Sequence, residues 1–341
     1  MRICVVGAGA IGGLLGVKLS LSGNEVTLID QGAHLEAMRK NGLKLIMADG
    51  TEHVAKEARA SARFEEAGPQ DLVIVALKAH YIGSVAPQMP ALFGPDTMVM
   101  TVQNGLPWWY FQKHGGPFDG RRLESLDPDG VIEANIAAER IVGCVVYPAA
   151  EVIAPGVIRH VEGDRFPLGE LDGSESERIQ RVCDTLIAAG FRSRVLTAIR
   201  SEIWLKAWGN LSFNPISALT HATLVDMCEF SQTRALAENM MREAAQIAGK
   251  LGIDFRHTIE RRIEGARSVG AHKTSMLQDV EAGRSLEVEA LVGAVIELGR
   301  LTDTPSPHID AVYACVKLLD RTMARHGARV AVEKVSVGQA A

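Results

Sequence analysis

The chain has 341 residues, of which 47% are apolar, 5% aromatic and 23% charged, a composition typical of a globular protein with about two domains. Its 36 Lys and Arg against 41 Asp and Glu give a formal net charge of −5, which disfavours a nucleic-acid-binding surface. The cysteines are scattered without metal-ligand spacing, so we expect buried free thiols in a reducing, cytoplasmic compartment and no bound metal. They are Cys4, Cys144, Cys183, Cys228 and Cys315.

An apolar strand begins almost at Met1, and no apolar run approaches the length of a membrane span. We therefore expect neither a signal peptide nor a membrane partner.

The first third of the chain alternates short apolar runs with helical segments. The runs that predict strands are Ile3–Val6, Val26–Ile29, Asp71–Val75 and Met98–Val102. Apolar residues at helical spacing from Ile11 to Gly23, and again from Ala33 to Lys40, predict helices. Continuous apolar strands alternating with helices are typical of a parallel sheet covered on both faces, so we expect a doubly wound α/β sheet.

A segment of different composition, 107–135, interrupts this pattern. It begins with clustered aromatic residues and continues with Gly, Pro and charged residues, so we expect a long loop that leaves the sheet. Strand-like sequence returns at Ile141–Tyr147 and Gly156–Val161. A helix around Ser174–Ala189 and a strand at Phe191–Val195 are expected to follow.

Beyond about Ile199 the pattern becomes helical. Long periodic segments predict helices at 199–218, 231–251, 286–301 and 308–325. We therefore expect an α/β domain over 1–197, which includes the excursion 107–135, and an all-helical domain over 198–328. A frayed tail is expected over 329–341.

A glycine-rich segment lies between the first strand and the first helix. Gly7-Ala8-Gly9-Ala10-Ile11-Gly12 provides a tight turn, close approach of the backbone to a pyrophosphate, and close packing of helix on strand. Backbone N–H groups at the helix N-terminus would bind the phosphates. Asp30 ends the second strand, 18 residues beyond Gly12, close to the ~20-residue spacing of a ribose-binding acid. We therefore predict a binding site for an adenine dinucleotide.

Two polar residues follow later strands. Lys78 follows Val73–Leu77 and Asn104 follows Met98–Gln103, at the strand ends where open parallel sheets bind ligands. A surface lysine and an ordinary Asn104-Gly105 turn would explain the same residues equally well.

The first helix of the second domain carries a polar stripe. Lys206, Asn210 and Asn214 recur every four residues, so one ammonium and two amides share a face of a mostly apolar helix. Because burying an unpaired lysine is costly, this pattern favours a functional site. The alternative is an interface helix whose polar stripe meets solvent or another subunit.

Two further motifs have structural explanations from the sequence alone. The segment Ser275-Met276-Leu277-Gln278-Asp279 fits an N-cap and a first helical turn. Glu287 fits a solvated carboxylate in the first turn of the next helix.

Taken together, these motifs resemble the ketopantoate reductase (2-dehydropantoate 2-reductase) family over nearly the whole chain. The resemblance rests on Gly7–Gly12, Leu77-Lys78-Ala79, Gln103-Asn104-Gly105, the Lys206, Asn210 and Asn214-Pro215 stripe, and Ser275–Asp279 followed by Glu287. It implies a Rossmann-type N-terminal domain and a helical C-terminal domain like that of 6-phosphogluconate dehydrogenase. It also implies that substrate and nicotinamide meet in the cleft between the domains. The implied reaction, a step of pantothenate biosynthesis, reduces ketopantoate to pantoate.

The resemblance implies roles for residues around the substrate. Lys206 would donate a proton to the ketone oxygen, Asn210 and Asn214 would bind polar groups of the substrate, and Ser275 would bind its carboxylate.

It implies a second set of roles around the cofactor. Beyond the glycine-rich segment, Asn104 would contact both cofactor and substrate, with Lys78 nearby. Glu287 would lie at the junction of substrate and cofactor, and Ala149 would line the nicotinamide pocket.

One departure from the family pattern leaves the substrate open. The family prototype has a further substrate-binding Asn ten residues beyond the second helix Asn, where this chain has Leu224. The alternatives are the same chemistry on another 2-oxo acid, and a non-catalytic dinucleotide sensor, which would not need the polar stripe. We expect a small-molecule substrate and leave a homodimer through the helical domain open.

The choice of nicotinamide cofactor depends on a second departure. The family usually prefers NADPH and holds its 2′-phosphate with a small residue followed by a basic one, whereas this chain has Asp30-Gln31. A carboxylate accepts hydrogen bonds from both ribose hydroxyls of NADH and repels a 2′-phosphate. We therefore predict NAD(H), with NADP(H) as the family alternative. The structural alternative is that Asp30 only caps the helix beginning near Gly32.

Overall fold

The computed structural model describes residues 1–333, so 334–341, which belong to the predicted tail, lie outside the described residues. The chain forms two compact units, Met1–Ile203 and a second that begins at Trp204. Each unit has its own secondary structure, and they are described in turn.

The first unit contains two sheets and several helices. Its strands are β1 (Arg2–Val6), β2 (Glu25–Ile29), β3 (Leu43–Ile46), β4 (Glu52–Ala55), β5 (Arg59–Ser61), β6 (Gln70–Val75), β7 (Phe93–Thr101), β8 (Ile141–Cys144), β9 (Ala149–Ala154), β10 (Val157–Glu162) and β11 (Leu168–Gly169). Its helices are α1 (Ala10–Leu21), α2 (Gly32–Asn41), α3 (Ala79–Val85), α4 (Val131–Asn135) and α5 (Glu177–Ala188).

The larger sheet has the strand order β11-β8-β7-β6-β1-β2-β5. All neighbours pair in parallel except β11, which is antiparallel to β8. The four predicted apolar runs are confirmed as β1, β2, β6 and β7, which are adjacent in this sheet. Val5 pairs with Leu28 on one side and Ile74 on the other, and all three side chains are buried. Burial on both faces explains why these strands are continuous apolar runs.

A second, mixed sheet has the order β4-β3-β10-β9. The predicted strand Gly156–Val161 is β10, but it belongs to this sheet, and β3, β4 and β9 were not expected. In β3 buried Leu43 and Leu45 alternate with half-buried residues, so these strands lack a continuous apolar run. The sheet packs on α1, where a Cβ at Gly13 would lie 2.6 Å from Ile158 Cγ1.

The predicted strand Phe191–Val195 is wrong as a strand. Only two isolated bridges occur there, Arg165 with Arg192 and Leu168 with Val195. Similarly, the predicted Ile141–Tyr147 strand ends early, at Cys144. The predicted helix 174–189 is confirmed as α5, whose N-cap Ser176 accepts a hydrogen bond from the Ile179 N–H.

The excursion 107–135 is a succession of turns that ends in α4, as expected from its composition. Its aromatic start is buried rather than exposed, and Trp109 Nε1 donates to Thr101 Oγ1 on β7 at 3.0 Å. The Arg200 guanidinium donates to the carbonyl oxygens of Tyr110, Gln112 and Leu171, and its burial lowers the pKa of Arg200. The base of this loop is therefore part of the core of the first unit.

The second unit is helical over its described residues, which end at Glu333. The helices are α6 (Ile199–Thr220, which begins in the first unit), α7 (Leu224–Glu229), α8 (Ser231–Lys250), α9 (Ile259–Ser268), α10 (Ser275–Ala282), α11 (Ala294–Leu301) and α12 (Pro307–His326). The predicted helices 199–218, 231–251 and 308–325 are confirmed as α6, α8 and α12.

The predicted helix 286–301 is interrupted. It starts as a loop through Glu287, continues as a π-helical segment over Glu289–Gly293, and only then becomes α11. The Glu289 carboxylate accepts a hydrogen bond from Tyr313 Oη at 3.0 Å and pairs with Lys317 Nζ at 2.7 Å, both on α12. These contacts fix the wider turn against the neighbouring helix.

The cysteines are free thiols, and four of them are buried. Burial raises the pKa of Cys4 to about 12, which keeps that thiol protonated and unreactive. Cys315 on α12 is exposed, so the expectation of buried thiols is wrong for this residue. Within residues 1–333, no helix is long and apolar enough to cross a membrane.

Candidate functional site

The glycine-rich turn connects β1 to α1, and its three glycines meet different surroundings. Gly7 has φ +93°, and a Cβ there would lie 2.7 Å from the Leu77 side chain. A Cβ at Gly12 would overlap the carbonyl oxygen of Gly7, so only glycine lets α1 pack this closely on β1. At Gly9 no atom lies within 4 Å of the Cβ position, which leaves that side of the turn open. A turn that is closed at its base and open at Gly9 fits a pyrophosphate.

Asp30 follows β2 and is hydrogen-bonded to the glycine-rich turn. Its Oδ2 accepts from the Ala8 N–H at 2.8 Å, and its Oδ1 accepts from the Gln31 N–H at 2.8 Å. Gln31 is the N-cap of α2 and makes no side-chain cap bond. Asp30 therefore does not bond the first-turn N–H groups of α2, and its half-buried carboxylate lies beside the turn.

His34 on α2 links the turn to the second sheet. Its Nδ1 accepts from the Gly156 N–H at 3.0 Å, so the ring proton lies on Nε2, which donates to the Ala8 carbonyl oxygen at 3.0 Å. Both ring nitrogens are thus used by the backbone, and this linkage was not predicted from the sequence.

Lys78 and Asn104 follow β6 and β7, at the same edge of the sheet as the glycine-rich turn. Lys78 is the N-cap residue of α3, and Asn104 precedes Gly105, whose φ is +83°. Both side chains are half-buried. Gln103 Nε2 donates to the Val75 carbonyl oxygen at 2.7 Å and so connects the two strand ends. Their predicted contacts with a cofactor stay predictions.

Ala149 belongs to the second sheet rather than to the larger one. It is the first residue of β9 and pairs with Glu162 of β10 in the second sheet. Its predicted place beside the nicotinamide also stays a prediction.

The polar stripe lies on α6, where Lys206 and Asn210 are half-buried and Asn214 is buried. Asn214 Nδ2 donates to Ser275 Oγ at 3.4 Å, so two of the predicted substrate-binding residues, distant in sequence, are in contact. The contact brings these two residues together, and their role in substrate binding stays a prediction.

The N-cap role suggested for Ser275 is wrong. Thr274 is the N-cap of α10, and its Oγ1 accepts from the Leu277 N–H at 3.2 Å. Ser275 is the first helical residue, which leaves its hydroxyl available to Asn214. Glu287 is half-buried and lies in the loop before the π-helical segment, where its carbonyl oxygen accepts from the Leu291 N–H.

Aromatic packing holds α6 in place behind the stripe. Trp208 is buried and donates from Nε1 to the Met241 carbonyl oxygen at 2.7 Å. The Phe255 ring stacks on Trp208 with centroids 4.1 Å apart. Because Trp208 points away from the stripe, this packing fixes the helix without filling its polar face.

One pair beside the stripe was missed by the sequence analysis. The Arg262 guanidinium on α9 packs against Gly209 of α6. The available signal was a glycine in the middle of a long helix, where it is unfavourable relative to alanine. Within residues 1–333, no cluster of His, Cys, Asp or Glu side chains could hold a metal ion.

The open side of the turn leads to a first prediction, which concerns Gly9→Ala. The added methyl group fits the fold but enters the space for a pyrophosphate, so NADH and NADPH affinity should fall about tenfold or more. The free energy of unfolding should change by less than about 1 kcal/mol. Fluorescence titration and thermal unfolding measure the two quantities. Gly249→Ala, also with no atom within 4 Å of the added Cβ, is the control. Unchanged dinucleotide affinity in Gly9→Ala would contradict the assignment of this turn.

Solved structures share this architecture. A protein from Ralstonia solanacearum MolK2, described as a candidate ketopantoate reductase, is 39% identical with a TM-score of 0.90, over 94% of this chain and 98% of that one. A D-mandelate dehydrogenase solved with NADH and anilino(oxo)acetate is 23% identical with a TM-score of 0.81, over 95% of this chain and 99% of that one. The second likeness concerns the fold alone.

Sequence comparisons identify the family. The model described as ketopantoate reductase PanE/ApbA matches residues 3–115, and the model of the C-terminal part of that family matches 198–320. A protein from Mesorhizobium japonicum named 2-dehydropantoate 2-reductase is 53% identical over 320 residues, which cover 94% of this chain and 98% of that protein. The glycine-rich turn, the stripe on α6 and these matches lead to one conclusion: the chain belongs to the ketopantoate reductase family.

Proposed function

We propose that this chain is an NAD(P)H-dependent reductase that converts the C2 ketone of 2-dehydropantoate (ketopantoate) into the hydroxyl group of pantoate. The observation that carries the proposal is the stripe on α6 together with the contact between Asn214 and Ser275. The name of the Mesorhizobium relative favours ketopantoate over other acids. We assign dinucleotide binding to residues 1–197 and substrate binding to 198–328. The proposed partners are this small molecule and, from the sequence analysis, a second copy of the chain.

The glycine-rich turn is the proposed pyrophosphate site. The N–H groups at the start of α1 would bind the phosphate oxygens, and the open side at Gly9 admits them without a clash. Lys78, Asn104, Ala149 and Glu287 complete the proposed cofactor contacts. Bound there, a reduced nicotinamide supplies the hydride that adds to C2 of the substrate.

Lys206 is the proposed proton donor. As hydride adds to C2, negative charge develops on the ketone oxygen, and an ammonium group both stabilises this charge and transfers a proton to it. The product is then a neutral hydroxyl at C2. Asn210, Asn214 and Ser275 are proposed to hold the polar groups of the substrate, with Asn104 as a further contact.

The substrate is the part of the proposal that depends most on the relatives. Leu224 stands where the family prototype has an amide, and a D-mandelate dehydrogenase has the same fold, so the fold alone does not select the acid. A non-catalytic sensor would need neither an ammonium group on α6 nor the Asn214–Ser275 contact. Both features favour an enzyme.

A panel of 2-oxo acids tests the activity. We expect ketopantoate to give the highest kcat/KM. The rate of each reaction is measured as the loss of absorbance at the reduced-nicotinamide band. A higher kcat/KM for another 2-oxo acid would support the alternative substrate. No oxidation with any acid would support the sensor.

Lys206→Ala tests the proton donor. We expect kcat to fall by about 10²–10⁴-fold, because a positioned general acid contributes a factor of this size. Dinucleotide affinity should stay within about twofold, since the variant leaves the glycine-rich turn intact. Stopped-flow turnover and fluorescence titration measure these effects, with Lys273→Ala, an exposed lysine paired with Glu281, as control. Full turnover in Lys206→Ala would exclude it as the acid.

We propose NADH as the preferred cofactor because of Asp30. The carboxylate beside the turn retains lone pairs for ribose hydroxyls after its two backbone bonds. The Asp30 carboxylate would repel a 2′-phosphate by about 4 kcal/mol per pair of charges 4 Å apart at an effective dielectric of 20. Solvent and salt reduce this repulsion considerably. Both ring nitrogens of His34 are used by the backbone, so this side chain has no nitrogen left for a 2′-phosphate. Arg39 donates to the Ala60 carbonyl oxygen and pairs with Glu36.

The cofactor preference is measured as the ratio of kcat/KM for NADH and NADPH. We expect a ratio of some tens in the natural chain, and a narrowed or reversed ratio in the double variant Asp30→Ala, Gln31→Arg, because it removes the acid and adds a cation. The double variant also loses the hydrogen bond between Asp30 and the Ala8 N–H. This loss affects binding of both cofactors, so it cancels in the ratio. Glu25→Ala, at the opposite end of β2, should leave the ratio unchanged. A higher kcat/KM with NADPH in the natural chain would refute the NADH preference but not the reductase activity.

A further inference from the structure

One peptide of the glycine-rich turn, that between Ala8 and Gly9, is held by a side chain of α2. The Ala8 carbonyl oxygen accepts a hydrogen bond from His34 Nε2 at 3.0 Å, and the Ala8 N–H donates to Asp30 Oδ2 at 2.8 Å. Ala8 is fully buried, so leaving its carbonyl oxygen without a partner would be costly. The direction of this carbonyl group therefore depends on His34.

The turn between β9 and β10 decides which ring nitrogen of His34 carries the proton. The Gly156 N–H donates to His34 Nδ1 at 3.0 Å, which leaves the proton on Nε2, where it faces Ala8. The Gly156 carbonyl oxygen accepts from the Lys44 N–H on β3 at 2.9 Å. A Cβ at Gly156 would lie 2.9 Å from the Cβ of Ala37, so this turn packs directly on α2. The second sheet thus holds the imidazole in the tautomer that donates to the glycine-rich turn.

The direction of the Ala8 carbonyl group sets the direction of the next N–H. Peptide bonds throughout residues 1–333 are trans. In a planar trans peptide the carbonyl group and the following N–H point in opposite directions. Because the Ala8 carbonyl group points at His34, the Gly9 N–H points away from it. Gly9 is the N-cap of α1, and no atom lies within 4 Å of its Cβ position. Its N–H is therefore presented at the start of α1, where the proposed function places the pyrophosphate.

We propose that His34 is a positioning residue for the dinucleotide: it holds the Ala8 carbonyl oxygen and thereby orients the Gly9 N–H toward the pyrophosphate. The inference rests on the proposed function, since it requires a dinucleotide at the glycine-rich turn. Alanine and glycine have no polar side chain that could fix this peptide, so its orientation comes from a different helix. Both ring nitrogens of His34 are bonded to the backbone, so the residue acts through the turn and not on the cofactor itself.

Two amide substitutions separate the two contacts of the imidazole. The side-chain oxygen of Asn lies about as far from the backbone as Nδ1, so His34→Asn keeps an acceptor for the Gly156 N–H and loses the donor to Ala8. The side-chain nitrogen of Gln lies about as far out as Nε2, so His34→Gln keeps that donor and loses the acceptor. We expect the Kd for NADH and for ADP-ribose to rise about 3- to 10-fold in His34→Asn, the range for one hydrogen bond. In His34→Gln both values should stay within about twofold.

Stability and turnover show whether the effect is specific. Each amide variant leaves one buried backbone group unpaired, on Ala8 or on Gly156, so their melting temperatures should fall by similar amounts. In His34→Asn the KM for NADH should rise with the Kd while kcat stays within about twofold, because the pyrophosphate is bound alike in ground and transition states. His34→Ala, which lacks both contacts, should weaken binding at least as much as His34→Asn. Glu36→Asn and Glu36→Gln, on the exposed side of α2, are the matched controls.

Three results would overturn the inference: an unchanged Kd for ADP-ribose in His34→Asn, an equal rise in His34→Gln, or a fall in kcat with an unchanged KM for NADH. Calorimetric binding of ADP-ribose needs no turnover, which separates this inference from the proposed function. Weaker ADP-ribose binding in His34→Asn alone, in a chain that reduces no 2-oxo acid, would uphold the role of His34 and refute the reductase. Normal binding in this variant, with weaker binding in Gly9→Ala, would refute only the role of His34.

Discussion

The first unit depends on one close approach, that of α1 to the end of β1. Gly12 lies so near the carbonyl oxygen of Gly7 that no side chain fits between them. This contact brings the start of α1 to the edge of the larger sheet, and the second sheet covers the outer side of the same helix through Ile158 and Gly13. Two sheets are therefore arranged around a single helix whose first residues form the proposed cofactor site.

Two side chains, one just before α2 and one on it, hold the glycine-rich turn in one conformation. Asp30 accepts from the N–H of Ala8, and His34 donates to the carbonyl oxygen of the same residue. One peptide segment is thus bonded at both its donor and its acceptor, and the histidine continues the connection to Gly156. A rigid site of this kind loses little conformational freedom when it binds a ligand.

The sequence predicted the elements whose pattern is local and uniform. The strands β1, β2, β6 and β7 are buried on both faces, so they stand out as continuous apolar runs. The stripe on α6 was visible because helical periodicity alone brings residues four apart to one face. The strand β9 was missed because most of its side chains are exposed, which leaves no hydrophobic pattern to detect.

Contacts between distant segments were beyond sequence reasoning. Two adjacent hydroxyl residues, Thr274 and Ser275, could each have capped α10, and only the backbone conformation shows that Thr274 does so. The packing of Arg262 on Gly209 joins two helices whose separate patterns give no sign of it. Within α6 an unexpected glycine was the single local trace of that contact.

The π-helical segment Glu289–Gly293 has a consequence for the phase of the helix that follows it. A π-turn holds one residue more than an α-turn, so side chains before and after it are offset by about 100° compared with a regular helix. Glu289 is the first residue of this segment and contacts Tyr313 and Lys317 of α12, whereas buried Val295 and Leu298 follow the segment. Deleting one residue from the segment would restore a regular helix and turn Glu289 away from α12. The one extra residue in this turn is thus enough to direct the Glu289 carboxylate at α12 while the buried face of α11 stays where it is.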